Sequence, residues 1–223
     1  MEKYKEFIPV IFGKKNWNVL MKPFYDRSNL EKLLIENLNY PLKDCKTKFM
    51  CHAISVGPPL MEVIHWKSWR EEFADVKLYD VCMASSAAPI YFQPYCFGGK
   101  VYIDGGLASN NPSMNAISEA LRLGAPLENI YNVNVVCDEN HGFDSAEHLT
   151  TVLDWITKIP GIGLYACSDS VHYQAHSLLA FKNHFIQPDV NLALDCTDIR
   201  QMETVADKLW DIHGKTLCEN IFF

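Results

Sequence analysis

Apolar and polar residues follow helix and strand periods along most of the chain. Leu30, Leu33, Leu34 and Leu38 recur at three- and four-residue spacing and so share one helical face. Ser28-Asn29-Leu30-Glu31 has the spacing of a capping box and Pro41 follows, which predicts a helix over 29–39. Lys48 to Val56 is a short run rich in Phe, Met, Ile and Val that stops at Gly57-Pro58-Pro59, the pattern of a strand ended by a turn. Glu62 to Trp66 reads as a strand returning beside it. Leu78 to Ala84 has helical spacing. Val101-Tyr102-Ile103 is a β-prone run ending at Asp104-Gly105-Gly106, with Gly98-Gly99 before it as a hairpin turn. Asn111-Pro112 opens a helix with a capping Asn and a first-turn Pro; it passes through Ile117, Ala120 and Leu121 and stops at Gly124. Ile130 to Val136 has the composition of a strand buried on both faces. Further helices are predicted over 146–159, 164–180 and 199–220, the first two separated by Pro160-Gly161.

Strands separated by helices predict an α/β sheet, at least partly parallel, with functional groups at the carboxyl ends of strands. No repeat, linker or low-complexity stretch divides the chain, so a single domain over 1–223 is expected. Its 223 residues, 48% hydrophobic and 21% charged, suffice for a core. The balance of 20 basic and 27 acidic residues gives a net charge of −7, which opposes attraction to nucleic acid and argues against that partner. Contact with a membrane surface through apolar side chains is a separate term and stays open. The eight cysteines are spread singly without a C-x-x-C pair. The start, Met1 to Glu6, is charged, and no apolar run approaches the ~18 residues of a spanning helix. These features predict free thiols in a reducing compartment and a cytoplasmic location.

An acidic residue at a strand end, followed by two glycines, is held where backbone can approach another group closely. Asp104 is therefore either the cap of a turn or an acid-base group at the sheet's carboxyl edge. Met83-Ala84-Ser85-Ser86-Ala87-Ala88-Pro89-Ile90-Tyr91-Phe92, then Asp104-Gly105-Gly106, then Asn110-Asn111-Pro112, resembles the second half of the catalytic domain of patatin-like phospholipases. The similarity extends upstream to Tyr25-Asp26 and the Leu30 helix and, more weakly, downstream to Ile186-Gln187-Pro188 and the last helix.

The resemblance implies a patatin-like α/β sheet flanked by helices and an acyl hydrolase with a Ser–Asp dyad. Its substrate would be a phospholipid or another acyl ester lipid, with no cofactor and no metal. Asp104 falls on the family's catalytic aspartate, which accepts the serine proton and returns it to the leaving group. Gly105 and Gly106 would allow the turn that aims the carboxylate. Ser85, Ser86 and Pro89 would shape the floor, and Asn110, Asn111 and Pro112 would anchor the next helix. Tyr91, Phe92 and Phe97 are candidates to line an acyl channel.

Two departures accompany the match. No serine has glycine two residues before and two after it, so the nucleophile turn is not written in the chain, and no glycine-rich oxyanion loop precedes Asp104. The stretch Asn132 to Asp138 also lacks the glycine-threonine-glycine turn expected after such a strand. The sequence thus resembles the family domain without its N-terminal strands. It is expected to be inactive alone, with Met1 to Leu20 or a complementing polypeptide covering the exposed sheet edge. The alternatives are a non-catalytic lipid-binding or regulatory remnant and a gene fragment.

Three other features read as structural. Asp169, His172 and His176 share a helical face but lack the H-E-x-x-H pattern of a metal site. The aromatic region from Trp66 to Phe97 has the density of a core. Cys82 and Cys137 read as packing residues, since a reactive thiol needs a cationic or helix-terminus setting that the sequence does not establish.

Overall fold

A computed structural model describes residues 2–16, 22–136, 151–188, 190 and 192–219. The chain folds as two compact units, Met1–Ser109 and Asn110–Phe223. The first unit carries helices α1 (Glu2–Phe12), α2 (Ser28–Leu38), α3 (Leu78–Ser85) and the single turn α4 (Gly106–Ser109). Its strands are β1 (Met50–Ser55), β2 (Glu62–Lys67), β3 (Tyr95–Phe97) and β4 (Lys100–Ile103). They form an antiparallel sheet in the order β2-β1-β4-β3, flanked by helices.

The turn at Gly57-Pro58-Pro59 sets β2 against β1 in full register, Met50 opposite Lys67 and Ser55 opposite Glu62. Gly98 and Gly99 take φ of +56° and +73°, the left-handed pair that a two-residue hairpin demands, and place Phe97 opposite Lys100. One face of the sheet buries Ala53, Trp66 and Tyr102 against Val81, Met83 and Ala84 of α3, with Leu42 and Leu78 completing the core. A second cluster joins Ile11 of α1 to Tyr25 and Phe92, with Phe7, Phe12 and Phe24 packed on it.

The second unit holds α5 (Ser113–Arg122), β5 (Asn132–Val135), α6 (Val152–Leu179), β6 (Asn183–Ile186) and α7 (Ile199–Leu217). β5 and β6 pair in parallel, Asn132 opposite Asn183, which supplies the parallel part of the α/β architecture. Ile117, Ile130, Ala175 and Leu179 form its core. Among the described residues no helix is long and apolar enough to cross a membrane.

Several local expectations are corrected. The capping box at Ser28 does not form: Arg27 is the cap residue without a side-chain bond, and Asp26 Oδ1 instead accepts from the Ser28 N–H at 2.7 Å. α6 runs through Pro160 rather than breaking there, since proline removes one donor but leaves the flanking turns able to continue. β5 is not buried on both faces: Val133 and Val135 are exposed and only Asn134 is buried, as befits an edge strand of a two-stranded ladder. The first residues, 146–150, of the helix expected over 146–159 and the stretch after Val136, including Cys137 and Asp138, lie outside the described residues. α1 does cover apolar surface, but that surface is the Tyr25–Phe92 cluster.

Candidate active site

Asp104 stands at the carboxyl end of β4, one residue beyond the Ile54–Ile103 pair that joins β4 to β1. Its N–H donates to the Ala87 carbonyl at 3.1 Å, and the Gly105 N–H donates to the Ser85 carbonyl at 3.1 Å. The strand end is thereby stitched to the Ser85-Ser86-Ala87 stretch that closes α3. Ser86 Oγ donates to the Cys82 carbonyl at 2.7 Å, which caps that helix end.

Gly105 is buried because nothing larger fits. A Cβ there would lie 2.0 Å from the His52 carbonyl oxygen and 3.0 Å from Ser85 Oγ. The close approach wedges the turn between β1 and α3 and fixes the direction of the neighbouring carboxylate. Asp104 Oδ1 accepts the Gly106 N–H at 2.5 Å, so the residue does cap the turn that opens α4. Burial holds its carboxyl above the ordinary range against the opposing pull of that bond. The group is thus a half-buried carboxylate with raised proton affinity, positioned by backbone on both sides.

Ser85, Gly105 and Gly106 lie at this turn, and Ser86 is engaged at the end of α3. Pro89 is exposed on the following loop, where Ile90 takes φ of +75°. Tyr91 and Phe92 join the Tyr25 cluster: Tyr91 stacks on Tyr25 at a centroid distance of 6.4 Å. Phe97 does not accompany them. It lies on β3 and stacks on Tyr102 at 4.8 Å within the sheet core, because strand alternation turns it to that face.

In the second unit Asn111 is 2% exposed; its Oδ1 accepts from the Ser113 N–H at 3.1 Å and its Nδ2 donates to the Ser168 carbonyl at 3.2 Å. It thus ties the first turn of α5 to α6, while Pro112 is the residue before the helix and Asn110 is exposed. His172, half-buried, packs on Phe185 of β6 with ring centroids 4.1 Å apart.

Two groups near the site were not anticipated. Cys51 lies beside Ser85 and Asp104 on β1; burial pushes its thiol up, hydrogen bonds from Ser85 and the His52 backbone oppose this, and the Asp104 charge adds to the rise. Such a thiol stays protonated and does not act as a nucleophile. Burial likewise pushes the Cys82 thiol up, to about 12. His52 and His65 face each other across the β1–β2 ladder with Nδ1 atoms 3.2 Å apart. Burial, then His65 and Lys67, push His52 down to about 4, so His52 is neutral near pH 7. A turn centred between Pro58 and Pro59 already pairs 52 with 65, and that count was the signal in the sequence.

Residues 11–117 match the family model described as patatin-like phospholipase, a span that includes Tyr25, Asp104 and Asn111. A cGAMP-activated phospholipase of Vibrio cholerae is 31% identical over 128 residues, covering 54% of this chain and 35% of that protein. Calcium-independent phospholipase A2-gamma of Oryctolagus cuniculus is 34% identical over 197 residues, 79% of this chain and 24% of that protein. A protein of Solanum tuberosum named probable inactive patatin-3-Kuras 1 is 41% identical over 132 residues, 54% of this chain and 35% of that protein. Over residues 11–117 the chain is similar in sequence to patatin-like phospholipases. It spans about a third or less of the length of these relatives.

Proposed function

We propose that this chain supplies the aspartate half of a lipid acyl hydrolase site, with Asp104 as the proton acceptor of a serine nucleophile. The observation that carries the reading is the setting of Asp104: a half-buried carboxylate with raised proton affinity, at a strand end, held by Gly105 wedged on His52. A base of this kind removes the proton from a serine hydroxyl as it attacks an acyl carbonyl, then returns it to the departing alcohol. Water repeats the cycle on the acyl-enzyme and releases the fatty acid.

No serine in the 223-residue sequence occupies a Gly-x-Ser-x-Gly turn, so in this reading the serine and the oxyanion donors lie outside these 223 residues. Phospholipids or other acyl ester lipids are the proposed substrates, following the names of the relatives. Hydrolysis of a fluorogenic phospholipid ester tests this. The chain alone is expected to give no turnover, and addition of a polypeptide that carries a Gly-x-Ser-x-Gly turn of the patatin-like type is expected to restore it. Turnover by the chain alone at the rate of the mixture would refute the division of the site.

A further inference from the structure

Ile90 carries two oddities at once. It is 68% exposed, and its backbone has φ of +75°, a conformation that costs a β-branched residue free energy and persists only when neighbours impose it. They do impose it. The Phe24 N–H donates to the Ile90 carbonyl at 2.8 Å, the Tyr25 N–H to the Tyr91 carbonyl at 2.9 Å, and the Phe92 N–H to the Ala88 carbonyl at 2.9 Å. The strain therefore holds a large apolar side chain out in solvent. A depression of about 310 Å³ beside it is lined mainly by Phe24, Phe92, Pro94 and Lys22.

The charge around it runs against that of the molecule. The chain has a net charge of −7, yet from Phe7 to Tyr25 it contains Lys14, Lys15 and Lys22 and no acidic residue. Lys15 Nζ sits 4.2 Å above the Phe24 ring, and Lys22 borders the depression. Asp26, which follows, is bound to the Ser28 N–H. An apolar tip with lysines at its base matches a surface with a negative outer layer and a hydrocarbon interior.

We propose that the Ile90 loop, with Phe24, Lys15 and Lys22, seats this chain on an anionic phospholipid bilayer. The proposal rests on the lipid hydrolase reading above and adds the docking face. Ala87, which accepts the Asp104 N–H, lies three residues before Ile90, so seating there brings the membrane to the candidate site.

Sedimentation of the full chain with vesicles of non-hydrolysable ether phospholipids tests it. Binding to phosphatidylcholine–phosphatidylserine vesicles is expected to exceed binding to phosphatidylcholine alone and to fall with salt. Lys22→Gln is expected to weaken it about five-fold. Ile90→Asn is expected to weaken it about ten-fold without lowering Tm, because asparagine accepts positive φ more readily. No vesicle binding, binding indifferent to phosphatidylserine, or an Ile90→Asn variant that binds as tightly as the parent would overturn the proposal. Ether lipids are not cleaved, so absence of docking with ester hydrolysis by the serine-complemented chain intact counts against this face alone, and docking without that hydrolysis counts against the hydrolase reading alone.

Discussion

Gly105 is where one missing carbon decides the geometry. A methyl placed 2.0 Å from the His52 carbonyl cannot be absorbed by a flexible side chain, since the obstacle is backbone. Gly105→Ala is expected to destabilise the chain by about 3 kcal/mol, measured by chemical denaturation, as β1 and the Asp104 turn are forced apart. The neighbouring His52 predicts a pH effect. Its proton affinity in the fold, at about 4, is below that of an unfolded histidine, ~6.5. Stability is therefore complete above about pH 6.5 and declines as pH falls toward 4, because the unfolded chain takes up the proton first. The difference in unfolding free energy between the parent and His52→Gln, followed from pH 7 to pH 4.5, is expected to shrink by about 2 kcal/mol. A difference independent of pH would mean that His52 is not held neutral.

At the scale of elements, Asn111 joins the start of α5 to α6 through two hydrogen bonds at a buried position. Asn111→Ala leaves the Ser113 N–H and the Ser168 carbonyl without that partner and is expected to cost about 2 kcal/mol in a denaturation midpoint. Elements with strong local signals were legible in the sequence. The Leu30 helix, the Met50–Lys67 hairpin and the Gly98-Gly99 turn depend on periodicity and turn residues that neighbours reinforce. Elements decided by distant contacts were not. α1 contains Pro9 and begins with charges, yet it forms and buries Ile11 on Tyr25 and Phe92. The helix over Pro160 and the exposed faces of β5 likewise follow from packing and sheet order, which a local pattern does not contain. The candidate site divides the same way. Asp104 and its glycines were evident from motif spacing, whereas the His52 carbonyl under Gly105 and the separation of Phe97 from Tyr91 and Phe92 depend on register and strand face.

Across the whole molecule, an acidic chain places its exposed apolar Ile90 and three of its lysines in stretches joined by the Phe24–Ile90 hydrogen bond. The same unit holds Asp104, so a docking face and a base can act on one lipid. The assignment of Asp104 as that base is tested most directly by Asp104→Asn in the chain complemented with its serine segment, with ester hydrolysis and thermal unfolding measured on the same preparation. The expected result is a loss of kcat of about 10²- to 10⁴-fold. Tm should be unchanged or higher, because burial already disfavours the charged carboxylate and the amide oxygen still accepts the Gly106 N–H. Hydrolysis undiminished in a folded Asp104→Asn variant would contradict the assignment.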